Sequence, residues 1–301
     1  MSNKTLFVVV GPTAIGKTAM AIRIAQKLGT EILSCDSRQF YKELNIGVAR
    51  PSDEELAAVP HHFIANLSIC DTYNVSMYEH DALVLLDTLF ATHNTAVAVG
   101  GSGLYVDALC QGITAMPDPD PEIRAQLKQQ LKNEGLESLR AQLRLLDPDY
   151  YYSTDIANPL RIIRGLEMCL TTGQPFSKIR QNENQKRPFN IVKIGLTCPR
   201  DELYSRINRR VDQMVANGLV DEVRSLLPYR HLNALNTVGY KELFDFFDGN
   251  TTMEHAIEEI KTHTRRYAKR QITWFQRYSK IIWVEHKNFS KILQVIANFR
   301  Y

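Results

Sequence analysis

Residues 6–18 read Leu6-Phe7-Val8-Val9-Val10-Gly11-Pro12-Thr13-Ala14-Ile15-Gly16-Lys17-Thr18. An apolar run precedes the pattern G-x-x-x-x-G-K-[ST] and a helical pattern follows it, as in phosphate-binding strand–loop–helix units. The glycines let the backbone turn tightly, so that its N–H groups converge on an anion at the positive end of a helix. The stretch Gly11 to Thr18 therefore predicts a phosphorylated ligand, with Lys17 near its terminal phosphate and the Thr18 hydroxyl as a ligand of Mg²⁺.

The composition is that of an ordinary globular protein, because 44% of the 301 residues are hydrophobic and 23% are charged. No apolar run approaches the length of a membrane span, and residues 1–4 lead directly into the first predicted strand. We therefore expect neither a membrane segment nor a signal peptide. The 5 cysteines lack C-x-x-C spacing, which predicts reduced thiols in a cytoplasmic protein without a disulfide framework or a zinc site.

The formal net charge of +3 hides a gradient along the chain. Up to residue 120 there are 13 Asp and Glu against 7 Lys and Arg, whereas the 10 Lys and Arg after residue 260 face Glu285 alone. A tail this one-sided favours a polyanionic partner such as nucleic acid. On charge alone, a solvated helix face remains an alternative.

Apolar runs typical of strands alternate with helical patterns, which predicts an α/β fold: a P-loop-type parallel sheet covered by helices. The runs lie at 6–10, 31–34, 95–99, 190–196 and 281–284. The alternation stops near Met116-Pro117-Asp118-Pro119-Asp120-Pro121, where prolines at every second position break regular structure. We predict an all-helical insertion domain at 116–189 within a core formed by 1–115 and 190–301.

A second set of polar residues follows other predicted strands. Asp36 comes directly after the apolar segment 32–35, and the carboxyl ends of parallel strands carry the chemistry in such sheets. Its carboxylate suits a magnesium or water ligand, a general base, or a group that only caps a loop. The strand at 97–99 runs into Gly100-Gly101-Ser102-Gly103 without a carboxylate, where Ser102 donates to a ligand or caps the next helix. Neighbouring His61 and His62 diverge on any regular structure, so we expect no metal site there.

The pattern at 252–277 predicts a long helix with one basic face. Arg266, Lys269, Arg270, Thr273 and Arg277 share this face at helical spacing. Trp274 and Phe275 lie among these cations, and bases stack on such rings in nucleic-acid complexes. The pattern strengthens the nucleic-acid hypothesis.

Taken in order, these motifs resemble those of the tRNA isopentenyltransferase family almost from end to end. The matching segments are 11–18, Asp36-Ser37-Arg38-Gln39 with Tyr41 and 46–47, 60–62, 100–105, 161–167, 210–214, Val238-Gly239-Tyr240-Lys241, and 269–275. Eight segments in one order at compatible spacing make the resemblance highly specific.

The resemblance implies prenyl transfer from dimethylallyl diphosphate to N6 of the adenosine 3′ of the anticodon, in tRNAs that read codons starting with U. It implies that the P-loop holds the diphosphate of the donor, with Lys17, Thr18, Mg²⁺ and Arg210 neutralising the leaving group. It also implies that Asp36 accepts the proton of the amine. The family has threonine where this chain has Ser102, and serine keeps the hydroxyl near the target base.

The same resemblance implies a set of tRNA-contacting residues, and nothing in the sequence indicates a membrane or an obligate protein partner. The set comprises Asp36, Ser37, Arg38, Gln39, Ser102, Arg124, Leu160, Arg161, Ile162, Ile163, Arg164, Gly239, Tyr240, Lys241, Lys269, Arg270, Gln271, Thr273 and Trp274. Two alternatives remain for a P-loop chain: an ATP-dependent small-molecule kinase, and a non-catalytic RNA-binding ATPase. The missing acidic residue at a strand end weighs against the kinase.

Overall fold

The computed structural model describes residues 4–114, 116–117, 120–180 and 185–299. The chain divides into two compact units: Met1–Gln111 with Lys186–Tyr301, here called the sheet unit, and Gly112–Gln185, the helical unit. The helical unit begins and ends four residues earlier than the predicted insertion, 116–189. Its end shifts because Arg187 pairs with Glu79 and the ring of Phe189 contacts that of Phe90, both in the sheet unit. Residues 118–119 of the proline-rich junction and residues 181–184 of the predicted insertion lie outside the described residues.

The sheet has six parallel strands in the order β3-β2-β4-β1-β5-β6. They are β1 (Thr5–Val10), β2 (Ile32–Ser34), β3 (His61–His62), β4 (Thr95–Gly100), β5 (Asn190–Thr197) and β6 (Ile282–Glu285). The five predicted strands and the α/β class are confirmed. Strand β3 was not predicted, because two residues are too few to show a strand pattern.

Strand β1 shows why the sheet is covered on both faces. All six of its residues are buried, and they alternate between two cores. Phe7 and Val9 belong to one core, whereas Leu6, Val8 and Val10 belong to the other. A parallel strand between two helical layers needs apolar residues at every position, and the run 6–10 has them.

Helices surround the sheet in the sheet unit. They are α1 (Lys17–Leu28), α2 (Asp53–Ala58), α3 (Val75–Thr92) and α4 (Gly103–Gln111), then after the helical unit α10 (Arg200–Ala216), α11 (Leu219–Ser225), α12 (Lys241–Phe247), α13 (Met253–Gln276) and α14 (Phe289–Asn298). Two short 3₁₀ turns lie at Leu227–Tyr229 and Asn233–Leu235. A further core joins α10 to α13 with the segment after β2, and it includes Leu44, Val211 and Ile260.

The described residues of the helical unit form the helices α5 (Pro121–Glu134), α6 (Leu136–Leu146), α7 (Pro148–Ser153), α8 (Pro159–Thr172) and α9 (Phe176–Ile179). Asp120 caps α5 and Asn158 caps α8, each followed by a proline in the first turn. Leu127, Leu143 and Leu166 meet in its core.

The sequence also led to predictions about disulfides and membrane spans. All five cysteines are described, and all are free. Among the described residues no helix combines the length and the apolar character needed to cross a membrane.

Candidate active site

Three loops meet at the carboxyl edge of the sheet, because β1, β4 and β2 are neighbours and parallel. The P-loop follows β1, the turn 100–103 follows β4, and the turn 36–39 follows β2. In open parallel sheets this edge is where ligands bind. Helices α10 and α13 supply further side chains to it, as described below.

The P-loop has the backbone that its glycines permit. Gly11 has φ +148°, and a Cβ there would lie 3.0 Å from the carbonyl oxygen of Leu196, so a side chain would force the loop away from β5. Gly16 has φ +96° immediately before α1, in a region that favours glycine. The loop thus turns directly into the N-terminus of α1, where N–H groups and the helix dipole favour an anion.

Three basic side chains surround this loop. The Lys17 ammonium donates to the Pro12 carbonyl oxygen at 2.8 Å, and Arg206 Nε donates to the Ala14 carbonyl oxygen at 2.8 Å. Arg210 Nη1 donates to Thr13 Oγ1 at 3.3 Å. Arg206 was not among the predicted site residues, since only its position one helical turn before Arg210 could have indicated it.

The cations are poorly solvated, which suits them to bind an anion. Burial, with help from Arg210, lowers the pKa of Lys17 to about 7, and the Asp36 carboxylate opposes that shift. Burial also lowers the pKa of Arg210, again against Asp36. A bound diphosphate would stabilise the charged form of both groups.

Asp36 is held by its own turn and keeps one oxygen available. Its Oδ1 accepts the backbone N–H of Arg38 at 2.9 Å and that of Gln39 at 3.3 Å. Within the described part of the chain its Oδ2 accepts no hydrogen bond. The side chain therefore caps the turn and still presents an oxygen to a substrate.

Ser102 joins two of the loops. Its Oγ accepts the backbone N–H of Ser37 at 3.0 Å and donates to Ser37 Oγ at 3.3 Å. The Tyr267 hydroxyl lies beside it. The interpretation of Ser102 as a helix cap is wrong for its side chain, because that hydroxyl bonds the turn 36–39 instead.

Gln271 joins the P-loop to the turn 100–103. Its Oε1 accepts the backbone N–H of Thr13 at 2.8 Å, and its Nε2 donates to the carbonyl oxygen of Gly101 at 2.9 Å. A Cβ at Gly101 would lie 2.2 Å from Gln271 Nε2, so a side chain there would displace the Gln271 amide from its hydrogen bond. The side chain is 5% exposed, which corrects its prediction as a tRNA contact: Gln271 lies on the inner side of α13 and braces the phosphate loop.

The opposite side of α13 carries the predicted basic face. Arg266, Lys269, Arg270, Thr273 and Arg277 are exposed. The stacking predicted for the aromatic residues is wrong for Phe275, which is buried in the core beneath the sheet. Trp274 is half-buried, donates to Asp107 Oδ2 at 3.0 Å and has the Arg277 guanidinium 4.0 Å from its ring centre, so that face of the ring is already covered.

A cavity of about 680 Å³ lies within the sheet unit. Its lining includes Thr13, Asp36, Arg38, Arg210, Arg266 and Arg270. Thr13 of the phosphate loop, the candidate base Asp36 and part of the basic face of α13 thus line one space, which is large enough for a nucleotide-sized group.

The segment 239–241 divides between this cavity and the core. Lys241 is exposed and Gly239 lines the cavity with φ +96°. Tyr240 is fully buried, and its hydroxyl donates to Glu222 Oε1 at 2.6 Å. The prediction of a tRNA contact is therefore corrected for the Tyr240 side chain, which instead holds the half-buried Glu222 carboxylate.

In the helical unit, α8 presents one polar side. Leu160 and Arg161 are exposed, whereas Ile162 and Ile163 are buried in the core of that unit, so the predicted tRNA contacts are corrected for these two side chains. Glu167 is fully buried and pairs with Arg124 at 2.7 Å and with Arg164 at 2.9 Å. One carboxylate thus holds two partly exposed arginines beside the N-terminal part of α8.

The fold and the site together define an α/β protein with a P-loop beside Asp36, the candidate proton acceptor. The family model of the IPP transferases matches residues 39–278, and the chain belongs to that family. The matched segment begins after the P-loop and Asp36, so the assignment of these residues to the site depends on the geometry described above.

Named relatives agree with this membership. The chain is 52% identical over 291 residues to a tRNA dimethylallyltransferase of Christiangramia forsetii, covering 97% of this chain and 96% of the relative. It is 49% identical over 292 residues to tRNA dimethylallyltransferase 1 of Bacteroides thetaiotaomicron, covering 97% and 95%. A crystal structure of a tRNA isopentenylpyrophosphate transferase from Bacillus halodurans superposes with a TM-score of 0.73 at 36% identity, covering 99% of this chain and 97% of that one. These matches do not favour the kinase alternative.

Proposed function

We propose that this chain is a tRNA dimethylallyltransferase: it transfers the dimethylallyl group of dimethylallyl diphosphate to N6 of the adenosine 3′ of the anticodon. The observation that carries the proposal is the cavity in which Thr13 of the P-loop and Arg210 meet Asp36. An anion site alone suits many P-loop proteins. An anion site beside a carboxylate with an available oxygen suits displacement of diphosphate by an amine that must lose a proton.

The basic residues lower the barrier by stabilising the leaving group. As the bond between the prenyl C1 and the diphosphate oxygen breaks, negative charge grows on the diphosphate. Lys17, Arg206 and Arg210 lie where that charge develops, together with the N–H groups at the start of α1. Charges already held in place cost no reorganisation during the reaction.

Mg²⁺ would be held by the Thr18 hydroxyl together with diphosphate oxygens. Thr18 stands in the first turn of α1, next to Lys17. A hydroxyl and phosphate oxygens are the hard oxygen donors that Mg²⁺ prefers, and this ion usually binds through few protein ligands and its substrate's phosphates. When bound, it would supply further positive charge to the leaving group.

Asp36 completes the displacement as general base. The adenine N6 forms a bond to C1 while the C1–O bond breaks, and the proton leaving N6 passes to the Asp36 carboxylate. The two hydrogen bonds on Oδ1 keep the carboxylate oriented, and Oδ2 remains for the amine. The target base must leave the anticodon-loop stack to reach this group.

The remaining predicted residues divide into two tRNA surfaces. In the sheet unit, Arg38, Lys241, Lys269 and Arg270 are half-buried or exposed cations near the cavity or on the basic face of α13. In the helical unit, Leu160, Arg161, Arg124 and Arg164 are accessible at α5 and α8. Phosphate contacts from such residues would position the tRNA. A tRNA substrate is also consistent with the predicted cytoplasmic location.

A transfer assay tests the proposal. The protein is incubated with Mg²⁺, labelled dimethylallyl diphosphate and an unmodified tRNA that reads codons starting with U. We expect label in the RNA and release of diphosphate. The matched control is the same tRNA with guanosine at the target position, which lacks the N6 amine. Absence of label in both tRNAs would overturn the proposal, and consumption of ATP with a small acceptor would point to a kinase.

Binding of tRNA should weaken steeply with salt, because the basic face of α13 neutralises phosphates and releases counterions. Replacing Lys269 by alanine should reduce the slope of log K against log salt by about 1. Filter binding at several salt concentrations measures this. Lys27→Ala, at an exposed lysine in the last turn of α1, is the control and should leave the slope unchanged. Equal slopes for wild type and Lys269→Ala would remove this face from the interface.

Glu167→Gln should weaken tRNA binding through Arg124 and Arg164, which lose their shared carboxylate. We expect the KM for tRNA to rise by roughly fivefold, about 1 kcal/mol, while the KM for dimethylallyl diphosphate stays the same. Glu137→Gln is the control, since Glu137 forms an exposed pair with Arg140 in the same unit. An unchanged KM for tRNA in a folded Glu167→Gln protein would contradict a role for these arginines.

A further inference from the structure

Three side chains with metal-binding atoms meet at the ends of two neighbouring strands. Thr197 of β5 pairs with Glu285 of β6, so the next residues, Cys198 and His286, leave the sheet side by side. The backbone N–H of His286 donates to the Thr197 carbonyl oxygen at 2.9 Å, which fixes that exit. Glu202 joins them from the first turn of α10, four residues after Cys198.

Their ligand atoms are close together. The thiol sulfur of Cys198, a carboxylate oxygen of Glu202 and a ring nitrogen of His286 all lie within 4.8 Å of one another. His286 Nε2 and Glu202 Oε1 are 3.0 Å apart. The His286 side chain is 7% exposed and that of Glu202 is 30% exposed. The group therefore lies near the surface, with His286 on its buried side and Glu202 on its solvent side.

We propose that Cys198, Glu202 and His286 bind one divalent transition-metal ion of the zinc class. Sulfur, imidazole nitrogen and carboxylate oxygen are the ligands that Zn²⁺ takes, and three protein ligands leave the fourth tetrahedral position to water. Binding forms a metal–sulfur bond, and the thiol proton passes to solvent. None of the three residues belongs to the P-loop, where the Thr18 hydroxyl and the oxygens of a bound diphosphate would suit Mg²⁺ instead.

The placement of the three residues depends on the backbone and not only on side-chain rotamers. Strand register sets Cys198 beside His286, and the turn at Pro199 that starts α10 brings Glu202 back over both. His286 lies far along the chain from Cys198 and Glu202. The cysteine spacing in the sequence therefore could not predict this site.

A basic neighbour competes for the same carboxylate. Lys287 Nζ lies 2.8 Å from Glu202 Oε1, and its side chain is 64% exposed. An exposed ion pair of this kind contributes little and exchanges readily with solvent. A bound metal ion would displace the ammonium from Glu202 and neutralise the carboxylate in its place.

Metal binding would tie the start of α10 to the ends of β5 and β6. The same helix carries Arg206 and Arg210 to the P-loop. Because an ion that binds only the folded chain stabilises it, we expect thermal unfolding of the chelator-treated protein to shift upward by about 2 °C or more at saturating Zn²⁺.

Cobalt titration tests the site directly, because Co²⁺ reports its ligands by absorption. We expect a charge-transfer band of a cobalt–thiolate bond at one Co²⁺ per chain, lost on addition of Zn²⁺ but not of Mg²⁺. Cys198→Ser should abolish the band, and His286→Asn and Glu202→Gln should weaken binding by about tenfold or more, because loss of even an outer-shell partner of a ligand costs that much. Each variant's cooperative melt without metal shows that it has folded.

Two control variants separate this site from adventitious binding. Cys70→Ser removes an exposed cysteine elsewhere, and His80→Asn removes an exposed histidine on α3. Both should bind Co²⁺ as the unaltered protein does. The proposal is overturned if no thiolate band forms, or if Cys70→Ser rather than Cys198→Ser removes it. It is also overturned if His286→Asn and Glu202→Gln bind with unchanged affinity, since the three residues would then form only an ion-pair cluster. None of these outcomes bears on prenyl transfer.

Discussion

Asp36→Asn is expected to lower turnover by about 10²-fold to 10⁴-fold while affinity for tRNA stays nearly unchanged. Asparagine keeps a side-chain oxygen that can accept the N–H groups of Arg38 and Gln39, so the turn 36–39 is preserved. The amide has no basic oxygen for the proton of the adenine amine. Single-turnover transfer with saturating tRNA measures the loss.

The companion variant Asp36→Ala separates the two roles of this side chain. It removes the base and the cap together, so it should be at least as slow as Asp36→Asn and less stable to heat. Asp71→Asn is a matched control, because Asp71 also caps a turn, through the backbone N–H of Ser68 at 2.7 Å, but does not line the cavity. If Asp36→Asn turned over at the rate of the unaltered protein, Asp36 would be a loop cap and no more.

Gln271→Glu is expected to reduce kcat/KM for dimethylallyl diphosphate by about 10²-fold or more, with the KM for tRNA nearly unchanged. The carboxylate can still accept the Thr13 N–H, but it has no donor for the Gly101 carbonyl and brings a negative charge beside the diphosphate. Gln271→Ala leaves both backbone groups unpaired, each at a cost of about 1–3 kcal/mol, and should lower kcat/KM by about 10-fold or more. Initial rates at varied donor concentration distinguish the two substrates.

The control for this position is Gln276→Ala, since Gln276 is exposed on the same helix. It should keep the activity of the unaltered protein. If Gln271→Glu instead raised the KM for tRNA and left that for the donor unchanged, Gln271 would act as part of the tRNA surface and not as a brace for the P-loop.

Much of the fold could be predicted because its signals are local. A strand of the parallel sheet is a short run of apolar residues. In the run 6–10 every residue is apolar, on both faces of the strand. The caps of α5 and α8 are likewise pairs of adjacent residues, Asp120-Pro121 and Asn158-Pro159. Strand β3 has only two residues, and it forms because β2 offers a free edge.

The sites were predictable to the same degree. The P-loop is a continuous stretch whose glycines, lysine and threonine act on one ligand, so Gly11 to Thr18 alone predicted an anion site. The basic face of α13 followed from helical spacing, and Arg266 and Lys269 are exposed as predicted. Motif spacing along the chain could not predict which side chains within the matching motifs are buried in the core. Ile162, Ile163, Tyr240 and Gln271 lie in matching motifs, yet their side chains are buried.

Local sequence patterns therefore predicted the α/β class, the phosphate loop and the charge of helix α13, because each depends on neighbours along one strand, loop or helix. The contacts of Gln271 with Thr13 and Gly101, of Ser102 with Ser37, and of Cys198 with His286 became visible in the folded chain alone. These contacts join residues far apart in the chain. They arise from strand order and from the packing of helices on the sheet, which no local spacing encodes.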